Sequence, residues 1–367
     1  MKIFIVSNMY PDKKHPSYGI FVKKFCDQLE LFGYTYMKSV MLKQDSSFMK
    51  VLAYTNFYLK TFIKLLFCKY DIIYIHYASH SSIPVLLATA IRKKSIFTNV
   101  HGSDVVPENS SQVKMQKFTQ KILSKSDTII VPSAYFEEYT KKKFKLYNKN
   151  FKIYPSSGVD SKIFFERKNK DVNLLNTKFD IDTSKVNIGF VGRISPGKGW
   201  DTFLDAIELM NSQELNNFHF YFIGTGPEIN NFNQKVRCMN NRDYIDFMDK
   251  LLPQNEVASY FSVIDFLVFP TRREGESLGL VPLEAMACGT PVIASDFAAC
   301  KEYIEDGNNG FKFQVGDPES LKDVLIKIKS LDSLAYATLS ANAIKTSYKY
   351  LDINITKRIK EIFDKKL

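Results

Sequence analysis

A chain of 367 residues, 45% of them hydrophobic, is long enough for two packed cores, since a single core seldom grows past about 250–300 residues. Its five cysteines, at 26, 68, 238, 288 and 300, include no C-x-x-C pair, which argues against a disulfide framework or a zinc site and fits a reducing cytoplasm. No apolar run reaches the roughly 18 residues expected of a membrane span, and the net charge of +11 is lopsided: residues 1–166 hold 25 Lys and Arg against 12 Asp and Glu, the remainder 25 against 27.

The chain opens directly on a strand-like run, Lys2 to Asn8, with no secretory leader expected before it. A loop through Tyr18 and Gly19 leads into a helical pattern ending near Leu31. That order, strand then loop then helix, suits a site at the carboxyl edge of a parallel sheet, with Gly19 letting a ligand approach the backbone. Residues 46–69 form a long helical stretch in which Phe48, Val51, Leu52, Phe62, Ile63, Leu65, Leu66 and Phe67 make a broad apolar face. Such a face packs against a core; resting on a bilayer is the alternative.

Asp71 to His76 and Ser95 to Val100 read as buried strands, each leading to a histidine, His76 and His101, the second in the run His101-Gly102-Ser103-Asp104. Asp127 to Ser133 and Ile153 to Val159 read as the last strands of the first domain. Basic clusters punctuate this half: Arg92-Lys93-Lys94, the series Lys114, Lys117, Lys121, Lys125, and Lys141-Lys142-Lys143. They fit a solvated basic face or an anionic membrane surface; with no nucleic-acid-binding motif in the chain, nucleic acid is the weakest reading. Residues 160–185 lack periodicity and read as an interdomain linker.

A second domain begins at Val186 to Val191 and runs into Gly192-Arg193-Ile194-Ser195-Pro196-Gly197-Lys198-Gly199. Arg193 and Lys198, five apart across a glycine-containing turn, can converge on one anion, the fork of Arg gripping phosphate oxygens and Lys adding a point charge. Phe218 to Gly224 is a strand ending at a second glycine turn, Gly224-Thr225-Gly226, and a third segment, Phe247 to Pro253, carries Lys250 and Leu251. Ile264 to Phe269 is a strand, then come Glu276-Ser277-Leu278-Gly279-Leu280, a helix holding Glu284, and a strand at Val292. With the helix starting near Leu278, its first N–H groups and dipole make an anion site. Glutamates flanking such a site repel phosphate and so face hydroxyls, as a diphosphate between ribose and a second sugar would require. Cys300 to Asn309 and Phe311 to Val315 finish the sheet, helices follow at Ser320 to Ser330 and Leu334 to Tyr348, and Ile353 to Phe363 forms the last.

The two glutamates eight apart, with the run to Ile293, resemble the E-x7-E signature of the retaining glycosyltransferase family 4, similar to bacterial surface-polysaccharide enzymes. The resemblance covers essentially the whole chain and implies the α/β GT-B fold: two doubly wound Rossmann-like domains facing across a cleft. Residues 1–166 would bind the acceptor, residues 167–349 would bind the donor, and the C-terminal helix, within 350–367, would cross back to the first. It implies Arg193 and Lys198 as the diphosphate clamp, Glu276 with Ser277, Leu278, Gly279 and Leu280 on the transferred sugar, and Glu284 on ribose. Gly19, Gly192, Gly224, Gly226, Lys250 and Leu251 would border the nucleotide. Asp249 and Lys250 stand where many relatives carry glycine, which leaves the choice of uracil or guanine open. His101 would be the active-site histidine, with Tyr18, His76 and Asp104 on the acceptor side. No cofactor or metal is expected beyond the nucleotide diphosphate sugar, and no D-x-D motif appears. The acceptor expected is a glycan, in first place one linked to undecaprenyl diphosphate at the inner face of the plasma membrane. Two other classes stand beside this reading: a nicotinamide oxidoreductase, for which the first strand lacks G-x-G-x-x-G, and a basic nucleic-acid- or membrane-binding protein without transferase activity.

Overall fold

The computed structural model describes residues 1–167 and 181–363. The chain forms two compact units, one of Met1–Ser157 with Ile355–Leu367 and one of Gly158–Asn354. In the first unit six strands, β1 (Lys2–Ser7), β2 (Thr35–Val40), β3 (Ile72–His76), β4 (Ser95–Asn99), β5 (Thr128–Val131) and β6 (Asn150–Ile153), pair in parallel in the order β2-β1-β3-β4-β5-β6. Its central strands are apolar runs rather than alternations because helices cover both faces. Phe4, Val6, Ile73 and Ile75 face the helices Ser47–Phe67, Ser82–Ile91, Ser110–Lys125 and Ala134–Phe144. Ile3, Ile5, Ile72 and Tyr74 face the helix Ile20–Leu31 and the C-terminal residues Ile355, Ile359, Ile362 and Phe363. From β1 the chain goes to one side for β2 and to the other for β3, so the order reverses between β1 and β3.

The second unit repeats the plan with β7 (Val186–Val191), β8 (Phe218–Ile223), β9 (Ile245–Met248), β10 (Phe266–Phe269), β11 (Val292–Ser295) and β12 (Gly310–Phe313), all parallel in the order β12-β11-β10-β7-β8-β9. The reversal falls between β7 and β10. In open α/β sheets that is where two neighbouring loops diverge and leave a crevice at the carboxyl ends of the strands.

Several sequence expectations change. The strand expected from Ile153 to Val159 ends at Ile153, because Pro155 lacks an N–H and Ser156, Ser157 and Gly158 all have positive φ (47°, 72° and 79°). The units part at Ser157/Gly158, earlier than the expected boundary at 166, and the chain returns to the first unit at Ile355. Residues 160–167, read as linker, belong to the second unit: Phe164 is buried in its core and packs its ring near Phe261. The rest of that expected linker, through residue 180, lies outside the described residues. Cys300 to Asn309 adds no strand; it holds a short 3-10 turn, Ala298–Glu302. The last helical segment is two short helices, Asp352–Ile355 and Arg358–Phe363. Finally, the helix Ser47–Phe67 buries only Phe57, Thr61 and Leu65, four residues apart on one stripe. Phe48, Val51, Leu52, Ile63 and Phe67, expected to face the core, are exposed.

Candidate active site

In the second unit the turns after β7, β8 and β10 meet at the carboxyl edge. Gly197 and Gly199 have left-handed backbones (φ 75° and 77°), and Gly199 caps the helix Trp200–Glu208. A Cβ on Gly199 would lie 1.8 Å from the Pro270 carbonyl oxygen, so only glycine lets the β7 turn lie against the residue that ends β10. The Arg272 N–H donates to the Gly197 carbonyl at 2.7 Å, which ties the two turns together. That register delivers Lys198 to Glu276: Nζ donates to Oε2 at 2.6 Å with both side chains mostly buried, and the Thr271 hydroxyl donates to the same oxygen at 3.4 Å. The ammonium also lies 5.5 Å from the centroid of the Phe269 ring. Arg193, in the same turn as Lys198, is exposed and has no ion pair among the described residues.

Gly279 (φ 75°) caps the helix Leu280–Ala287, which starts two residues later than expected. Its Cβ would meet the Tyr303 hydroxyl at 2.8 Å. Tyr303 Oη lies 3.1 Å from the carbonyl oxygens of both Leu278 and Gly279 and donates to them, holding this loop from beneath. On the helix, Pro282, Leu283, Ala285, Met286 and Ala287 are buried while Leu280, Val281 and Glu284 are only partly so. Glu284 therefore shares a face with Leu280, one turn from the helix N-terminus; Ser277 is partly buried just before it.

The remaining glycines divide. A Cβ on Gly224 would sit 1.8 Å from the Gly192 carbonyl oxygen, and one on Gly226 2.2 Å from that of Ile194. Both glycines are needed to pack the β8 turn against the β7 turn, a structural demand that the sequence reading had assigned to the nucleotide alone. Gly192 meets only the Phe190 ring, at 3.5 Å, so protein contacts do not require glycine there. Lys250 and Leu251 follow edge strand β9 and are exposed. The carbonyl of Met248 accepts from both Gly224 and Lys250 N–H groups, at 3.1 and 2.8 Å.

In the first unit Gly19 (φ 71°) caps the helix Ile20–Leu31, and its Cβ would lie 2.7 Å from the backbone of Met9 and Tyr10. Tyr18 donates to the Asn8 carbonyl at 3.4 Å, and burial pushes its phenol up to about 12. His76 ends β3 and His101 follows β4; their rings stack 23° from parallel, with His76 Nδ1 3.1 Å from His101 Nε2. Phe21 packs 4.2 Å from the His101 ring, and Phe25 and Tyr74 lie near His76. Desolvation in this aromatic nest lowers both histidines, His101 to about 3 and His76 well below its ordinary value, so both are neutral at pH 7. His76 Nε2 is buried without a hydrogen-bond partner. Asp104 is fully buried, which pushes its carboxyl up against backbone N–H donors that pull it down. Oδ1 accepts from His101 and Gly102 at 2.9 and 3.0 Å, and Oδ2 from Ala78 at 2.9 Å. Its oxygens are thus spent on pinning the β3 and β4 loops together, which positions His101. Sequence reasoning missed Phe21, Thr271 and Tyr303. Thr271 alone carried a signal, a polar residue just past the proline that follows a buried strand.

Residues 185–330 match the family described as glycosyl transferases group 1. Over 284 residues the chain is 31% identical to an uncharacterised glycosyltransferase of Methanocaldococcus jannaschii, covering 76% of this chain and 71% of that one. An uncharacterised 41.2 kDa protein in the cps region of Klebsiella pneumoniae is 26% identical over 269 residues, 70% of this chain and 69% of its own. The fold matches that of HepE of Anabaena in complex with UDP and glucose, with TM-score 0.74 at 18% identity over 100% of both chains. Two Rossmann-like sheets, a cation turn after β7 and a glutamate-flanked helix after β10 agree with these likenesses, and the oxidoreductase reading falls away. The chain belongs to the group 1 glycosyltransferases and is a transferase of the GT-B fold.

Proposed function

We propose that the enzyme is a retaining, metal-independent member of glycosyltransferase family 4. It moves a hexose or N-acetylhexosamine from a nucleotide diphosphate sugar, a UDP-sugar in first place, to a hydroxyl of a glycan acceptor. The observation that carries this reading is the Lys198–Glu276 pair at the switch point of the second sheet, with Arg193 exposed in the same turn. Negative charge develops on the leaving diphosphate as the glycosidic bond breaks. Lys198, Arg193 and the N-terminus of the helix Leu280–Ala287 stabilise that charge, and Lys198 is already oriented by Glu276 before the donor arrives. Glu276 and the backbone of Ser277 to Leu280 hold the sugar, Glu284 binds ribose hydroxyls, and Gly192, Lys250 and Leu251 border the nucleotide. The acceptor oxygen bonds to the anomeric carbon on the face from which the diphosphate departs, and its proton passes to a leaving phosphate oxygen. Neutral His101, covered by Phe21 and backed by His76, orients the reacting hydroxyls by hydrogen bonding, with Tyr18 on the acceptor side.

The setting we propose is capsule, exopolysaccharide or O-antigen assembly on an undecaprenyl-diphosphate-linked glycan at the cytoplasmic membrane face. The likeness to a protein of a cps region and the positive surplus of residues 1–166 support it. The test is thermal stabilisation by UDP, GDP, ADP, CMP and NADH, each with wild type and Glu284→Ala. A ligand at a hundred times its Kd stabilises the folded state by about 2.7 kcal/mol. Stabilisation by UDP, weakened in the variant, is expected; stabilisation by NADH alone, or by no nucleotide, overturns the reading.

A further inference from the structure

Three helices on one face of the first unit, Ser47–Phe67, Ser82–Ile91 and Ser110–Lys125, contain no Asp or Glu. The fourth helix on that face, Ala134–Phe144, carries Glu137 and Glu138, so the lack is local. The three lie side by side. Along the outer side of the first, Phe48 (71% exposed), Leu52 (48%), Leu59 (59%), Ile63 (46%) and Phe67 (80%) recur every four or seven residues, an apolar stripe in water interrupted at Thr55 and Asn56. The second helix adds Leu87 and Ile91, 59% and 70% exposed, and the third adds exposed Lys114, Lys117, Lys121 and Lys125. Between the second and third runs a groove of about 750 Å³ with Leu86, Leu87 and Phe118 on its walls and three of those lysines on its lining. Scattered apolar residues on a surface need no explanation, but a stripe this long, rimmed by one sign of charge, marks a contact.

Arg92 is not part of that charge, because its guanidinium donates to the carbonyls of Leu65, Leu66 and Cys68 and closes the end of the first helix. The remaining lysines have no carboxylate on these helices to pair with. A protein partner would have to bring both an apolar strip and an acidic border, whereas an anionic bilayer offers acyl chains beneath a sheet of negative headgroups. The inner side of the same helix touches the acceptor-side loop: Asn8 Nδ2 donates to Tyr54 Oη at 3.1 Å, tying the helix that carries the stripe to the loop that leads to Tyr18 and Gly19.

We propose that this three-helix face is a docking surface for an anionic lipid bilayer, with the stripe from Phe48 to Phe67 lying among the acyl chains and the lysines of Ser110–Lys125 against the headgroups. The proposal deepens the lipid-linked-acceptor reading and rests on it, since a protein held this way stays at the surface where such a glycan is carried.

The test is co-sedimentation of the full chain with vesicles of phosphatidylcholine alone or with about 30% phosphatidylglycerol, at low and high salt. Binding is expected only to anionic vesicles, falling as salt rises. The double variant Leu59→Glu/Ile63→Glu should lower it at least about tenfold, and Lys117→Glu/Lys121→Glu should flatten its salt dependence. Leu334→Glu, at a still more exposed apolar residue of the second unit (77%), should leave binding as in wild type. Unchanged melting temperature and UDP stabilisation in the stripe variant keep loss of binding apart from misfolding. No wild-type binding, equal binding by the stripe variant, or a wild-type dimer that the stripe variant dissolves while vesicles are ignored would each overturn the proposal. If vesicles bind but no nucleotide stabilises the protein, the docking surface stands and the transferase chemistry proposed above fails.

Discussion

The two units share one plan and finish it with opposite side chains. Both are six-stranded parallel sheets with a reversal of strand order, and both start the helix after their first strand on a left-handed glycine, Gly19 and Gly199. In the second unit the crevice edge is charged: Lys198 meets Glu276, and Arg193 stands exposed. In the first unit the same edge is lined with rings, two histidines are kept neutral, and the one carboxylate nearby, Asp104, has its oxygens taken by backbone. The scaffold supplies the crevice; the side chains at the strand ends make one edge charged and the other neutral and aromatic.

The largest effect expected comes from breaking the charged side. Lys198→Ala should lower kcat about 10²–10³-fold with the fold intact, because the lost cation acts where charge develops in the transition state. Transfer from UDP-sugars, followed by product release, measures it. Swapping the pair, Lys198→Glu with Glu276→Lys, should not restore the rate; recovery would mean that the pair is a structural tie and that the contrast between the units is false.

Next comes the shared skeleton. Gly199→Ala should destabilise the protein by about 1–3 kcal/mol, since it adds left-handed strain to a clash with Pro270. Gly19→Ala should act the same way against Met9 and Tyr10. Urea unfolding measures both; a neutral outcome at either glycine would show that the two loops are not built alike.

The smallest effect lies on the neutral side. A histidine whose folded pKa is depressed leaves the unfolded chain binding more protons near pH 6.5. Stability is therefore whole above that pH and falls as pH drops toward the folded value, about 3 for His101. Between pH 7 and 5 the loss is up to about 2 kcal/mol for His101, and His76 acts in the same direction. The melting temperature should fall over that window, less steeply in His101→Asn, and the rate profile should carry no inflection near pH 6.5 from His101. An inflection there that vanishes in the variant would put a charged histidine at the acceptor side and erase the contrast.

How far the sequence could be read follows the range of the forces involved. The apolar runs of β1, β3, β7 and β8 announce themselves because a strand covered on both faces must be apolar throughout. Gly199 and Gly279 stand within motifs, and the ion pair of Lys198 with Glu276 was within reach of a pattern that had put both residues at one site. Other features depend on residues distant in sequence. Nothing local tells that Tyr303 reaches back to the carbonyls of Leu278 and Gly279, or that Phe21 will cover His101. The helix Ser47–Phe67 misleads for the opposite reason: its period is that of a core helix, yet only the stripe of Phe57, Thr61 and Leu65 finds a sheet to lie on.

The packing of Gly224 and Gly226 against the carbonyls of Gly192 and Ile194 bears on how such an enzyme changes its preference for a donor. The two turns are interlocked, main chain against main chain, so neither can be reshaped without dislodging the other, and insertions or bulkier residues are barred from both at once. Variation is pushed outward to the segment after β9, where Lys250 and Leu251 stand in solvent and constrain nothing beneath them. On the nucleotide-bordering role proposed for Lys250 and Leu251, a search for altered nucleotide choice would do well to randomise positions 249 to 251 and leave the core-packed Leu252 and the interlocked turns untouched.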